Sequence, residues 1–108
     1  MATGYCVVLT VTDSADAAHG LARSVVEARL AACVQICGPV RSVYRWEDVL
    51  EDAAEWQLWC KTTDACYEPL AAHLVQHHSY DTPEIVRLPI ESGHPPYLRW
   101  IDAETSPT

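Results

Sequence analysis

The densest group of chemically active side chains lies between residues 77 and 85, where the sequence reads HHSYDTPEI. Nine residues carry two histidines, a tyrosine and two carboxylic acids, and the chain then continues into an apolar stretch. Imidazole nitrogen and carboxylate oxygen both bind borderline divalent metals, and both transfer protons near neutral pH. The stretch therefore indicates either a ligand site or a helix end followed by a solvated turn, and residue types alone leave both interpretations open.

His78 and Glu84 form the more specific pair within this stretch. His78 falls at the end of an amphipathic pattern, on its apolar side, and Glu84 follows a proline at the start of the next predicted strand. A metal generally needs three or more ligands, which Tyr80 or Asp81 would extend. The pair is predicted as a metal site, and the competing interpretation is a pair that only orients the turn. Lys61, at the end of the third strand, is a candidate ion-pair partner of Glu84 across the sheet.

His73 and His77 are spaced four residues apart on the same predicted helix, which is a two-ligand spacing. They flank the apolar stripe, and no HExxH glutamate accompanies them. We interpret them as solvated surface residues.

No nucleophile has a recognisable catalytic setting. The chain has no Gly-x-Ser-x-Gly motif, no glycine-rich phosphate loop and only four glycines. Five cysteines without a CxxC motif favour reduced thiols in a reducing compartment. We therefore expect a protein that is not an enzyme. A thiol enzyme using Cys33, Cys37 or Cys66 with a histidine is the remaining catalytic alternative.

The charge balance restricts the class of partner. Fifteen acidic residues against seven basic ones give a net charge of −8, which repels a phosphate backbone. Nucleic acid is excluded as a partner, and cations are favoured. The N-terminal residues lack a basic region, and no apolar run approaches the length of a membrane span. We expect a cytoplasmic protein with no membrane association.

Hydrophobic periodicity predicts four strands and three helices within a single domain, residues 1–108. Asp13 or Ser14 caps the first helix and Asp64 the second. Gly38-Pro39 predicts a bulge in the second strand, whose Val34, Ile36, Val40, Ser42, Tyr44 and Trp46 are expected to share one face. The predicted order is strand 5–12, a helix after residue 14, strand 32–46, strand 56–61, a helix from 64 to 78, strand 84–90 and helix 97–102.

This order predicts an α+β fold of the ferredoxin-like βαββαβ type, with a long hairpin between the second and third strands and a short C-terminal helix. Right-handed crossovers place the first two helices on one face of the antiparallel sheet. The other face is left bare, and four Trp and five Tyr are a large aromatic load for so small a core. We therefore expect another copy of the chain to cover it.

Five blocks of the sequence together resemble the CutA family of divalent-cation tolerance proteins, in the family's order and over nearly all of residues 5 to 102. They are RLAACV at 29–34, SVYRWE at 42–47, residues 55 to 63, H-x-Y-x-x-P-E-I at 78–85 and Y-L-x-W-I at 97–101. The resemblance implies a ferredoxin-like subunit in a homotrimer whose hairpins extend sheets between subunits. It also implies binding of copper or another divalent cation, similarity to PII signalling proteins and no established catalytic activity.

The residues that match the family's signature define the expected site. The resemblance implies His78 and Glu84 as metal ligands, and Lys61, Tyr44, Trp46, Tyr80 and Trp100 as ligand-binding residues. Three positions depart from the family pattern. Ser79 replaces a common proline, Asp48-Val49 replaces a common Gly-Lys after the hairpin Trp-Glu, and Thr10 stands where some members carry a proposed copper-ligating cysteine.

Two functions follow as hypotheses. The first is a trimeric copper-binding or metal-responsive protein of cation tolerance that has no obligatory cofactor. The alternative is a PII-like signalling module that binds a small anion or nucleotide in an inter-subunit cleft. The two are distinguished by position, because an anion module needs Lys61 and Arg45 in an open cleft, whereas a metal site needs His78 and Glu84 within ligand distance.

Overall fold

The computed structural model describes residues 3–107, so positions 1, 2 and 108 of the predicted domain lie outside the described residues. All strand pairs are antiparallel and the sheet order is β2-β3-β1-β4, which confirms the α+β, ferredoxin-like prediction. Within residues 3–107 no helix is both long and apolar enough to span a bilayer. The elements are β1 (Tyr5–Thr12), α1 (Ala15–Glu27), β2 (Cys33–Trp46), β3 (Val49–Thr63), α2 (Asp64–His77), β4 (Val86–Pro89) and α3 (Pro95–Glu104).

The core lies between α1, α2 and one face of the sheet. Alternate β1 residues are buried because successive side chains of a strand point to opposite faces. The opposite face carries half-buried Val7 and Leu9, and β4 adds exposed Val86 and Leu88. The buried core cluster consists of Cys6, Val8, Ala18, Leu21, Ala22, Val25, Leu30, Ala31, Leu58, Cys60, Leu70 and Leu74.

Local capping fixes where the first two helices begin. Ser14 caps α1 as predicted, and its hydroxyl oxygen accepts a hydrogen bond from the Ala17 amide at 3.0 Å. The prediction for α2 is wrong by one residue, because Thr63 is the cap and accepts from the Cys66 amide at 3.2 Å. Asp64 instead occupies the first turn, where its carboxylate pairs with Arg87 at 2.8 Å.

Three elements differ in length from the prediction. β3 covers Val49–Thr63 rather than 56–61, because the acidic stretch before Trp56 pairs with β2. β4 covers only Val86–Pro89 rather than 84–90, because its pairing with β1 is confined to four residues. The last helix is longer than 97–102 and begins at Pro95, since a proline is well accommodated in the first helical turn.

The Gly38-Pro39 bulge changes which side chains share a face of β2. Directly opposed residues on neighbouring strands point to the same side of a sheet. Ile36 opposes core residue Leu58, whereas beyond the bulge Val40 opposes Glu55, which points to the other side of β3. The bulge is confirmed, but the prediction of one continuous face is wrong, because the extra residue reverses the alternation. Val40, Ser42, Tyr44 and Trp46 therefore point away from the helices.

The β2-β3 hairpin projects beyond the rest of the sheet. β1 stops at Thr12, opposite Trp56, so residues 49–55 of β3 pair only with β2. A two-residue turn, Glu47-Asp48, closes the hairpin with φ of 49° and 64°, the left-handed geometry of a type I′ turn. Several large apolar side chains on this arm are exposed, including Trp46 at 51% and Leu50 at 66%.

The core assignment predicts a sharp contrast between two neighbouring residues of α2. Leu74 is fully buried and Val75 is 59% exposed. Leu74→Ala should lower the free energy of unfolding by about 3 kcal/mol, because it leaves a cavity in the core. Val75→Ala should change it by less than about 0.5 kcal/mol. Urea denaturation at matched protein concentration measures both, and equal losses would contradict the assigned packing.

Candidate functional site

A cleft lies beyond the end of β1, between the projecting hairpin and the loop at residues 79–84. Its volume is about 680 Å³. The bulge directs the hairpin side chains to this side of β3, and the loop passes beside the stretch of β3 that β1 no longer covers. The cleft is lined by Val11, Ser42, Val43, Tyr44, Trp46, Glu55, Ser79, Tyr80, Asp81, Thr82 and Glu84.

A hydrogen bond between Tyr80 and Glu55 joins the loop to the hairpin across the cleft. The Tyr80 hydroxyl donates to Oε2 of Glu55 at 2.7 Å. Glu55 is only 7% exposed, so its carboxylate has lost most of its contact with water. The hydrogen bond from Tyr80 replaces part of that lost hydration. Burial and the hydrogen bond to Glu55 raise the pKa of Tyr80 above its usual range. The phenol therefore stays protonated and keeps the loop attached to β3.

The charged residues of the cleft all have the same sign. Glu55, Asp81 and Glu84 line it, and no basic residue from positions 3–107 is among the lining residues. The exposed aromatic side chains of Tyr44 and Trp46 form the hairpin side. Three carboxylates beside aromatic faces attract cations and repel anions.

The His78 ring holds the loop in place through hydrogen bonds at both nitrogens. Nε2 lies 2.8 Å from the Val11 carbonyl oxygen, which can only accept, so Nε2 carries the proton and donates. Oγ1 of Thr10 lies 3.2 Å from the same nitrogen. Nδ1 accepts from the Tyr80 amide at 3.0 Å. His78 is thus a neutral imidazole whose tautomer is set by its partners, and a metal at either nitrogen would have to displace a protein hydrogen bond.

The predicted ligand residues do not all lie in the cleft. Tyr44, Trp46, Tyr80 and Glu84 line the cleft, and His78 lies behind Tyr80 with their ring centroids 5.0 Å apart. Within residues 3–107 no three His, Cys, Asp or Glu side chains are grouped closely enough to hold a metal ion. The His78–Glu84 metal site stays a prediction, and a single chain would supply fewer than three ligands of this kind.

Lys61 and Trp100 lie away from the cleft. The Lys61 ammonium donates to Oε1 of Gln35, at the end of β3 far from the hairpin turn. Arg45 opposes Leu50 near that turn, so the two basic residues are separated by roughly 35 Å along β3. Trp100 is on α3, where its ring packs against Tyr97 at 5.6 Å. One chain therefore does not bring Lys61 and Arg45 into a common cleft.

Glu55 is a charged residue of the cleft that was not predicted from the sequence as a site residue. It follows a run of acidic and small residues that resembles an ordinary solvated turn, and only its register opposite Val40 places it in the cleft. The sequence did contain a signal for this position. Glu55 immediately precedes the alternating strand predicted at 56–61, and it falls on the same side as Gln57 and Trp59.

The cysteines do not contribute to this cleft. Cys6, Cys60 and Cys66 are buried, Cys33 is half-buried and Cys37 is exposed, and all five are thiols. Burial raises the pKa of both Cys6 and Cys60 to about 12, which suppresses the nucleophilic thiolate. These two residues pack as small apolar side chains.

The Tyr80–Glu55 bond predicts a specific pH dependence. Tyr80→Phe should lower the free energy of unfolding by about 1–3 kcal/mol, because Glu55 is left buried without its donor. A tyrosine whose pKa rises on folding contributes its full stabilisation below the unfolded value of about 10, and this is lost as the pH rises through the folded value. The deficit of the variant should therefore be constant below about pH 9 and shrink above about pH 10. Tyr44→Phe is the control, and an equal deficit there would contradict the assignment.

Comparisons with known proteins identify the family of the chain. A family model described as CutA1 divalent ion tolerance protein matches residues 6–104. The divalent-cation tolerance protein CutA of Pectobacterium atrosepticum is 44% identical over 98 residues, which cover 90% of this chain and 89% of that protein. The plant and vertebrate relatives from Arabidopsis thaliana and mouse are longer, and the chain spans 54% and 50% of their lengths.

Solved structures give the same result. CutA1 from Oryza sativa has a TM-score of 0.94 at 34% identity, over 99% of this chain and 98% of that one. The divalent cation tolerance protein from Thermus thermophilus has a TM-score of 0.91 at 38% identity, over 94% of this chain and 99% of that one. The family match spans most of the sequence and the fold similarity nearly all of it, so the chain belongs to the CutA family of divalent-cation tolerance proteins.

Proposed function

We propose that the chain is a non-enzymatic, homotrimeric protein that binds a divalent cation in the acidic cleft and responds to that cation in the cytoplasm. The observation that carries the proposal is the charge of the cleft, whose ionisable lining residues include Glu55, Asp81, Glu84 and the protonated Tyr80. The names of the family and of the relatives, which refer to tolerance of divalent cations, support it.

The ligand chemistry of the cleft favours cation binding with little selectivity among divalent ions. Asp81 and Glu84 are exposed, so their carboxylates can rotate towards an ion without disturbing the core. Carboxylate oxygens suit hard cations such as Mn²⁺ and Mg²⁺. Copper remains a candidate through His78, although the ring would first have to release Val11 or the Tyr80 amide. Thr10 supplies a hydroxyl in place of a thiol, so we expect modest copper affinity.

Assembly would complete the site. One chain offers too few grouped ligands within residues 3–107, and the cleft opens beside exposed apolar side chains of the hairpin. β2 is an edge strand, and the sheet face opposite α1 and α2 also carries apolar residues, so a second chain could cover both. The resemblance implies that three chains do so. In such an assembly a neighbouring subunit would lie against the cleft.

The anion-binding alternative finds less support. A phosphate or carboxylate ligand needs basic anchors, and none of the residues that line the cleft within 3–107 is basic. It would require Lys61 or Arg45 of another subunit to approach three carboxylates. Calorimetric titration with a panel of nucleotides tests this alternative directly.

Assembly is the first test. Light scattering should give three times the 12.0 kDa chain mass at micromolar concentration. Trp46→Ala should shift the distribution towards smaller species, because truncating a buried interface aromatic costs about 3 kcal/mol or more. Val75→Ala, which removes an exposed side chain from α2, is the matched control. A monodisperse wild-type monomer would rule out the trimer.

Cation binding is the second test. Calorimetric titration with Mn²⁺, Zn²⁺ and Cu²⁺ should show binding that the double change Asp81→Asn/Glu84→Gln weakens by about tenfold or more. If the carboxylates alone hold the ion, His78→Ala should leave the Mn²⁺ affinity unchanged. If His78 is also a ligand, His78→Ala should weaken Cu²⁺ binding, because the site loses a nitrogen ligand. Unchanged Mn²⁺ affinity in the double variant would refute the cleft site.

A further inference from the structure

The two histidines that the sequence assigns to solvent, His73 and His77, are held together on the last turns of α2. Their ring centroids are 4.2 Å apart and the planes are inclined by 30°. His77 is exposed, but His73 contacts α1 through Ser24. The pair is distinct from the acidic cleft, since neither residue lines it.

Each ring is fixed by one hydrogen bond that also determines its tautomer. The Ser24 hydroxyl donates its single proton to the Leu21 carbonyl at 2.9 Å, so its oxygen accepts from Nε2 of His73 at 3.0 Å. Nδ1 of His77 donates to the His73 carbonyl at 2.9 Å. In the neutral form of each ring the opposite nitrogen, Nδ1 of His73 or Nε2 of His77, carries the lone pair, and neither nitrogen has a hydrogen-bond partner among residues 3–107.

Each ring is supported in the way that metal-binding imidazoles are. A ligating histidine donates its second ring N–H to an oxygen of the protein, which fixes the ring orientation and the free lone pair. Residues four apart on a helix also lie on the same side, which is the spacing of two-histidine metal sites.

Space for further ligands lies beside His77. A depression of about 310 Å³ between α1 and α2 is lined by His77 but not by His73, and Gly20 on its wall leaves open space where other residues carry a Cβ. Ser24 and Thr12 give this wall two hydroxyl groups. Water molecules can therefore complete the coordination of an ion bound to the two imidazoles.

We propose that His73 and His77 form a two-imidazole chelate for a borderline divalent transition-metal ion, with Cu²⁺ bound most tightly and water in the open positions. Nitrogen ligands distinguish this site from the oxygen-rich cleft, because imidazole prefers copper, nickel and zinc, whereas carboxylate prefers manganese and magnesium. The site does not depend on the cleft or on assembly.

The test is a titration of the full-length chain with Cu²⁺ and Ni²⁺. His77→Gln and His73→Gln should each weaken Ni²⁺ binding by about tenfold or more, because a chelate loses one of its two arms. His19→Gln, which changes an exposed histidine on α1, is the matched control and should leave the Ni²⁺ affinity unchanged. Circular dichroism and the melting temperature establish that each variant folds.

Spectroscopy separates this site from the cleft. The electron paramagnetic resonance spectrum of the first equivalent of Cu²⁺ should show hyperfine coupling to two nitrogens in wild type and in Asp81→Asn/Glu84→Gln, and to one nitrogen in folded His77→Gln. Loss of Mn²⁺ binding only in the cleft variant, together with loss of Ni²⁺ binding only in the histidine variants, supports two independent sites. Ni²⁺ affinity that is the same in wild type and both histidine variants overturns the chelate, whatever the cleft does.

Discussion

The contact between Gly38 and Trp56 is the constraint on which the rest of the site depends. A Cβ at position 38 would lie 2.5 Å from Cδ1 of Trp56, so only glycine lets the bulged chain pass over the indole. The bulge then reverses the alternation of β2. Without this reversal Tyr44 and Trp46 would point to the helix side, and the cleft would lose its hairpin wall.

The molecule separates its candidate metal ligands by donor type. Carboxylates collect in the cleft beside the hairpin, while the two imidazoles with open lone pairs collect on α2, on the helix side of the sheet. His78 lies between them but is engaged at both nitrogens, so in this arrangement it supports the loop that carries Tyr80. Hard and borderline cations would therefore meet different surfaces of the same small domain.

Much of the fold follows from sequence periodicity, since the strand and helix order, the Ser14 cap and the bulge were all predicted. The face to which β2 side chains point beyond the bulge was predicted wrongly. Gly38-Pro39 indicates a bulge, but whether the bulge reverses the alternation of side chains depends on how β2 pairs with β3. The site was predicted in part. Tyr44, Trp46, Tyr80 and Glu84 meet in the cleft, whereas Glu55 was missed because its burial arises from the loop that folds over it. The hydrogen bond between His73 and Ser24 connects residues that are 49 positions apart in the sequence, so helical spacing cannot reveal it.

The bulged edge strand has a consequence for how the protein avoids fibres. β2 leaves a long edge of backbone donors and acceptors, the feature through which sheets of separate molecules join without limit. Pro39 lacks an N–H and the bulge twists the strand, so an incoming strand can pair with one half of the edge but not in register along its whole length. The edge thus favours a short, closed set of contacts over amyloid-like stacking, which matters for a chain that exposes so many aliphatic side chains on its hairpin.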